Sequence, residues 1–234
     1  MFNKNMIDVL SQINSVSNSI VLKYPKTVAV SDSGDMLLHV DFSEIDSDSF
    51  PDIGLKDSLG DFLNLIKLFP EERSIDIENN RISVSSGSNS SSYITDNIAL
   101  MDAYNQTPEQ FDKTESVPSV ASFDINTTDI KNIKSASGVF KDLSEVIFKS
   151  QDGDVEISLA ATNKLNAKSN TYSVTKTAST SKEFSIKIPV ENFKLLPLSE
   201  YTVDVKYNAA RDSYRIILKN KSLDGFKILM SVKV

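Results

Sequence analysis

The chain of 234 residues contains no cysteine. That excludes a disulfide framework, a thiolate metal site and a cysteine nucleophile, and it suits a reducing compartment. No run of about 18 apolar residues occurs, so no segment reads as a membrane-spanning helix. The N-terminal MFNKNMIDVLSQINSVSNS spaces its apolar residues instead of massing them, unlike a signal peptide. The expected location is the cytoplasm. The N-x-S/T triplets at Asn89, Asn105, Asn126 and Asn220 are then chance products of a Ser/Thr-rich chain.

Chemistry-bearing groups are equally sparse. His39 is the one histidine, in the strand-like MLLHVDF with Asp41 on the same face. The pair is half of a triad, and a small hydrolase built on it is one reading. No cysteine and no G-x-S-x-G accompanies it, so a satisfied strand histidine is favoured. Asp46, Asp48 and Asp52 suggest calcium, but their loop lacks the central glycine and closing glutamate of an EF-hand. Neither a Walker A lysine loop nor G-x-G-x-x-G is present. Nothing here builds a reaction, so neither enzymatic activity nor a cofactor is expected.

Forty percent of the residues are hydrophobic, enough for a core in one large domain or two of ordinary size. The net charge of −7 argues at first against nucleic acid, but it is unevenly spread. Residues 1–116 hold 8 Lys and Arg against 19 Asp and Glu, a net of −11. Residues 117–234 hold 17 against 13, a net of +4. Two domains with unlike surfaces follow.

Apolar periodicity predicts a helix over 5–16, with Met6, Leu10, Ile13 and Val16 on one stripe. Strands are predicted at 20–24, 27–31 and 36–42, then an acidic loop at 43–54. A second helix at 55–68 carries Leu59, Phe62, Leu63 and Ile66, and Pro70 stops it. A hairpin over 74–85 turns at Asn79-Asn80, and an edge strand is expected at 92–101. Residues 102–118, polar and bounded by prolines, read as a connector between domains 1–101 and 119–234.

The second half repeats this order. A strand at 122–125 leads to a helix at 127–141, capped by Thr127 or Thr128, with Ile130, Ile133, Ser137 and Phe140 as its stripe. Strands follow at 145–149, 155–162, 171–177 and 183–188. A short helix at 190–196 is stopped by Pro197, and strands at 201–207, 214–219 and 226–233 finish the chain. DSLGDFLNLIKLFPEERSIDIENNRISVSS and VENFKLLPLSEYTVDVKYNAARDSYRIILKN both read helix, proline stop, strand, Asn-containing turn, strand. That is a structural duplication.

In LSQINSVSNSIVLK, LKDSLGDFLNLIKLF, SIDIENNRISV and IPVENFKLLPLSEYTVDV the chain resembles the sliding clamps of T-even-like tailed bacteriophages, fold relatives of proliferating cell nuclear antigen. The resemblance spans nearly the whole chain at the level of pattern. It implies an α+β DNA clamp fold, two similar domains each with two helices packed on antiparallel β-sheets. It further implies a homotrimer ring closed head to tail around duplex DNA, in the cytoplasm of the host cell. Implied partners are a DNA polymerase tail peptide, a clamp loader ATPase and, as a further possibility, transcription factors; no membrane is involved.

A clamp must hold DNA without reading it, which needs sparse cations near phosphates. Lys131, Lys134, Gly138 and Lys141 recur at intervals of 3, 4 and 3 on a stripe read as opposite the isoleucines. Lys194 takes the like place on the second helix of that half. Lys4, Lys56 and Lys67 are the helix-borne cations of the first half. The bland reading of these lysines is a solvated face. In the family's layout Met101, Tyr104, Phe111 and Met230 are candidates for the partner peptide's pocket; alternatively they pin the connector to the body. Strands 92–101 and 171–177 are candidates to pair between subunits. The competing reading of the whole chain is a β-rich virion structural protein of a tail or baseplate, for which acidic, Ser/Thr-rich β domains are common.

Overall fold

A computed structural model of the chain describes residues 2–45, 48–70, 72–78, 80–104, 106–161 and 172–234. Asp46 of the acidic loop, Asn79 of the hairpin turn, Asn105 of one N-x-S/T triplet, and Thr162 and Thr171 at expected strand ends lie outside the described residues. The backbone divides into two compact units, residues 1–109 with 223–226, and 110–222 with 227–234.

The first unit opens with α1 (Lys4–Asn14). Asn3 caps it, its side chain accepting from the Met6 N–H at 2.9 Å. Met6, Val9, Leu10 and Ile13 are buried on one side, as the 3.6-residue period demands. β1 (Ile20–Leu22), β2 (Lys26–Val30), β3 (Met36–Asp41) and β4 (Ile53–Leu55) follow, β1 pairing antiparallel with β4 and β2 with β3. α2 (Leu59–Lys67) begins four residues later than its pattern suggested. The reason is local: Ile53–Leu55 is taken up in the ladder with β1. Asn18 closes the start of α2, its carbonyl accepting from Ser58 and Leu59 and its side chain from Gly60.

The two helices pack on each other. Phe62 of α2 meets Phe2 edge-on with ring centroids 5.4 Å apart, and Phe42 meets Phe50 at 5.2 Å. β5 (Ser74–Glu78), β6 (Arg81–Ser86) and β7 (Asn89–Ile94) then form an antiparallel meander in that order. The edge strand expected at 92–101 thus lies at 89–94, and the chain enters a 3₁₀ turn at Ile98–Leu100.

The second unit holds α3 (Glu109–Glu115), a helix inside the segment read as a connector. β8 (Ser119–Ile125) leads to α4 (Thr127–Val139). The cap of α4 is Asn126, not a threonine: Asn126 and Asp129 exchange side-chain-to-backbone hydrogen bonds in a capping box. β9 (Glu145–Gln151), β10 (Asp154–Ala160), β11 (Tyr172–Lys176), β12 (Ser179–Thr180) and β13 (Ser185–Pro189) follow. α5 (Val190–Lys194) packs on α4, and β14 (Tyr201–Asn208), β15 (Ser213–Asn220) and β16 (Phe226–Ser231) complete the unit. One sheet runs β11-β10-β9-β13, and the other strands run β12-β8-β14-β15-β16.

The α+β architecture is therefore a repeated one. Each unit has a helix, a group of strands, a second helix packed on the first, and three more strands, with antiparallel pairing throughout. The repeat picked out in the sequence corresponds to α2-β5-β6 and α5-β14-β15.

Phe62 is fully buried at the junction of helix and aromatic cluster. Phe62→Ala is expected to cost about 3–5 kcal/mol, read as a lowered denaturant midpoint. A change below about 1 kcal/mol would contradict its role as a core side chain.

Candidate nucleic-acid interface

Each helix pair leaves a polar face to solvent. On α1 it carries Lys4, Asn5 and Asp8; on α2, Asp61, Asn64 and Lys67. On α4 Lys131, Asn132, Ser135 and Gly138 are exposed, as are Thr127 and Thr128 in its first turn and Val139 at its end, and on α5 Glu191 is exposed beside a half-exposed Lys194. Short polar side chains with scattered charges of both signs favour weak, sequence-indifferent contacts over tight binding.

The seven lysines singled out in the sequence fare differently. Lys4, Lys67 and Lys131 are exposed on their helices. Lys56 is exposed but precedes α2, so it is not helix-borne; its N–H donates to the Asp96 carboxylate at 2.8 Å. Lys141 is exposed and lies past the last turn of α4. Lys194 pairs with Glu191 at 2.9 Å.

Lys134 departs most from expectation. At 3.6 residues per turn it lies only about 40° around the helix from Ile130, so it borders the buried stripe instead of opposing it. Its ammonium donates to the Leu196 carbonyl just past α5, and burial holds its pKa below the ordinary lysine value. Lys134 is a strut between the helices.

Several lysines of the second half are held in ion pairs. Lys176 meets Asp129, Lys219 meets Asp204, Lys221 meets Asp124 and Lys227 meets Glu115. Lys206, itself buried, donates to the Glu115 carbonyl at the end of α3.

Of the four residues expected in a partner pocket, Met101, Phe111 and Met230 are buried to 1% exposure or less. Met101 lies against Gly54, where an added Cβ would fall 2.9 Å from its sulfur and 2.6 Å from the Asp96 carbonyl oxygen. Met230 sits in the ladder opposite Ile216. Tyr104 is half-exposed. Beside Met101 stands Leu100, 80% exposed, which the sequence reading passed over because a single leucine carries no periodicity. His39 is buried on β3, and the Asp41 carboxylate is engaged by the Ser43 hydroxyl at 2.5 Å and Lys26 at 3.5 Å. Among the described residues no group of three or more His, Cys, Asp or Glu could hold a metal ion, and no helix is long and apolar enough to cross a membrane.

These units have the clamp fold. No family model and no curated protein matches the chain. Among solved structures it is similar to the proliferating cellular nuclear antigen of Entamoeba histolytica, with a TM-score of 0.68 at 9% identity over 97% of this chain and 94% of that one. It is also similar to the A. fulgidus proliferating cell nuclear antigen, seen with the C-terminal region of FEN-1 bound, at 0.65, 13% identity, 97% and 94%. A third likeness is the DNA polymerase III beta chain of Streptococcus pneumoniae, at 0.64 and 16% identity over 97% of this chain. Of that beta chain the alignment covers 63%.

The two kinds of lysine are separable on duplex DNA. Lys131→Ala is expected to reduce the magnitude of the slope of log K against log salt by about 1, one phosphate contact. Lys134→Met should leave the slope unchanged and lower the denaturant midpoint. The reverse pattern would place Lys134, not Lys131, at the phosphates.

Proposed function

We propose that the chain is one subunit of a DNA sliding clamp, a processivity factor without enzymatic activity that tethers the replicative polymerase to duplex DNA. Three copies close head to tail, and the polar faces of α1, α2, α4 and α5 line the hole. The observation that carries this reading is the clamp fold over 97% of the chain, shared with a nuclear antigen and a polymerase beta chain. The resemblance of the four sequence segments to T-even-like phage clamps supports a clamp of that kind, working in the cytoplasm of the infected cell. Residues 1–101 and 119–234 are its two clamp domains, joined through 102–118.

Free strand edges support the ring. Among the described residues β7 is paired only with β6, and β11 only with β10. Exposed backbone edges of this kind recruit further strands. The lining needs few cations, since a clamp slides; Lys4, Lys67, Lys131 and Lys141 supply them, with Lys56 and Lys194 at the margins. A polymerase tail peptide docks around Leu100 and Tyr104, with buried Met101 beneath. A separate clamp loader ATPase opens the ring, because the chain has no nucleotide motif of its own.

Light scattering after size exclusion tests the assembly. The expected mass is three times 25.9 kDa, falling towards one subunit on dilution. A single-chain mass at every concentration would rule out a ring that closes by itself.

A further inference from the structure

Among the described residues β11 is an edge strand, paired only with β10. None of its side chains is fully buried: Tyr172, Val174 and Lys176 are half-buried, and Ser173 and Thr175 are exposed. Beyond its ladder with β10 it packs against α4 and β8, and its last residue is fastened to α4. The Lys176 ammonium lies 2.5 Å from the Asp129 carboxylate, with side-chain exposures of 18% and 11%. Asp129 is itself held in place, since its backbone N–H donates to the Asn126 side chain and its carboxylate accepts from the Asn126 N–H, each at 2.9 Å. One carboxylate thus joins the helix cap to the strand's only charge.

An outward lysine on an edge strand repels an incoming strand. Here Lys176 is drawn inward, which leaves the β11 edge neutral. A second free edge, β7, reads NSSSYI, with no charge and no proline, and its Ile94 is 70% exposed. Among the described residues β11 and β7 are thus two strand edges, one on each unit, that present no outward charge.

We propose that the Asp129–Lys176 pair is a clasp that holds β11 ready to receive β7 of a second copy, coupling subunit closure to the helix that faces DNA. The proposal rests on the ring reading. It makes Asp129 and Lys176 positioning residues that act through the strand they order. Ordering an edge before it docks removes part of the entropy cost of association. It also hides the one charge that would oppose pairing.

Asp129→Asn keeps an oxygen for the cap and removes the charge; Lys176→Met keeps the stem. Each is expected to raise the concentration of half-assembly about tenfold. The double variant should go no further than either single one, because both cut the same link. In dilute single chains, amide exchange should quicken at 172–176 and stay unchanged across 127–139, a pattern that general destabilisation would not produce. Variants that assemble like the wild type, additive effects, or unchanged exchange at 172–176 would each overturn the clasp while leaving the ring intact. A wild-type chain that never assembles would remove the ring reading itself, and the clasp's purpose with it.

Discussion

In both units two helices bury an apolar stripe against each other and against antiparallel strands, and this arrangement settles what remains on the surface. Met6, Val9, Leu10 and Ile13 of α1 face Leu59, Phe62, Leu63 and Ile66 of α2. Ile130 and Ile133 are buried on α4, and Val190 and Phe193 on α5, which packs against it. Burying side chains of this size is worth roughly 1.5–3 kcal/mol each. The opposite helical faces are left to water, and those faces are polar and thinly charged. A surface that slides on phosphates needs that quality.

Charge is handled in the same economical way. The second half holds an excess of lysine, and several of its cations fasten elements: Lys206, Lys219 and Lys227 around Glu115 and Asp204, Lys176 on Asp129, Lys134 on Leu196. A partly buried pair of this kind fixes geometry more than it adds stability. Lys131 and Lys141 are left exposed at α4 and just past its end.

Much of the fold was legible because it is written in periods. The helices at 4–14, 59–67, 127–139 and 190–194, and the strands between them, follow spacings of 3.6 and 2. What was missed lacks a period or depends on distant partners. β7 is serine-rich and buries no side chain, so its start at 89–91 read as loop and its strand was expected only from 92, yet it pairs with β6 along its length. α3 has one large apolar residue, Phe111, and its anchorage through Glu115 to Lys227 spans 112 positions. The start of α2 shifted because β4 claims Ile53–Leu55.

The site was less legible than the fold. Charge at a given spacing does not say whether a lysine reaches solvent, as Lys131 does, or a carbonyl, as Lys134 does. Buried Met101, Phe111 and Met230 were legible as apolar residues, but not as core. Encirclement of DNA is the central claim, and topology tests it most directly. On loading, the protein should stay on closed circular duplex in high salt and be lost once the circle is cut, since a ring slides off a free end. Equal loss from circular and linear DNA as salt rises would mean surface binding alone, and would contradict a clamp.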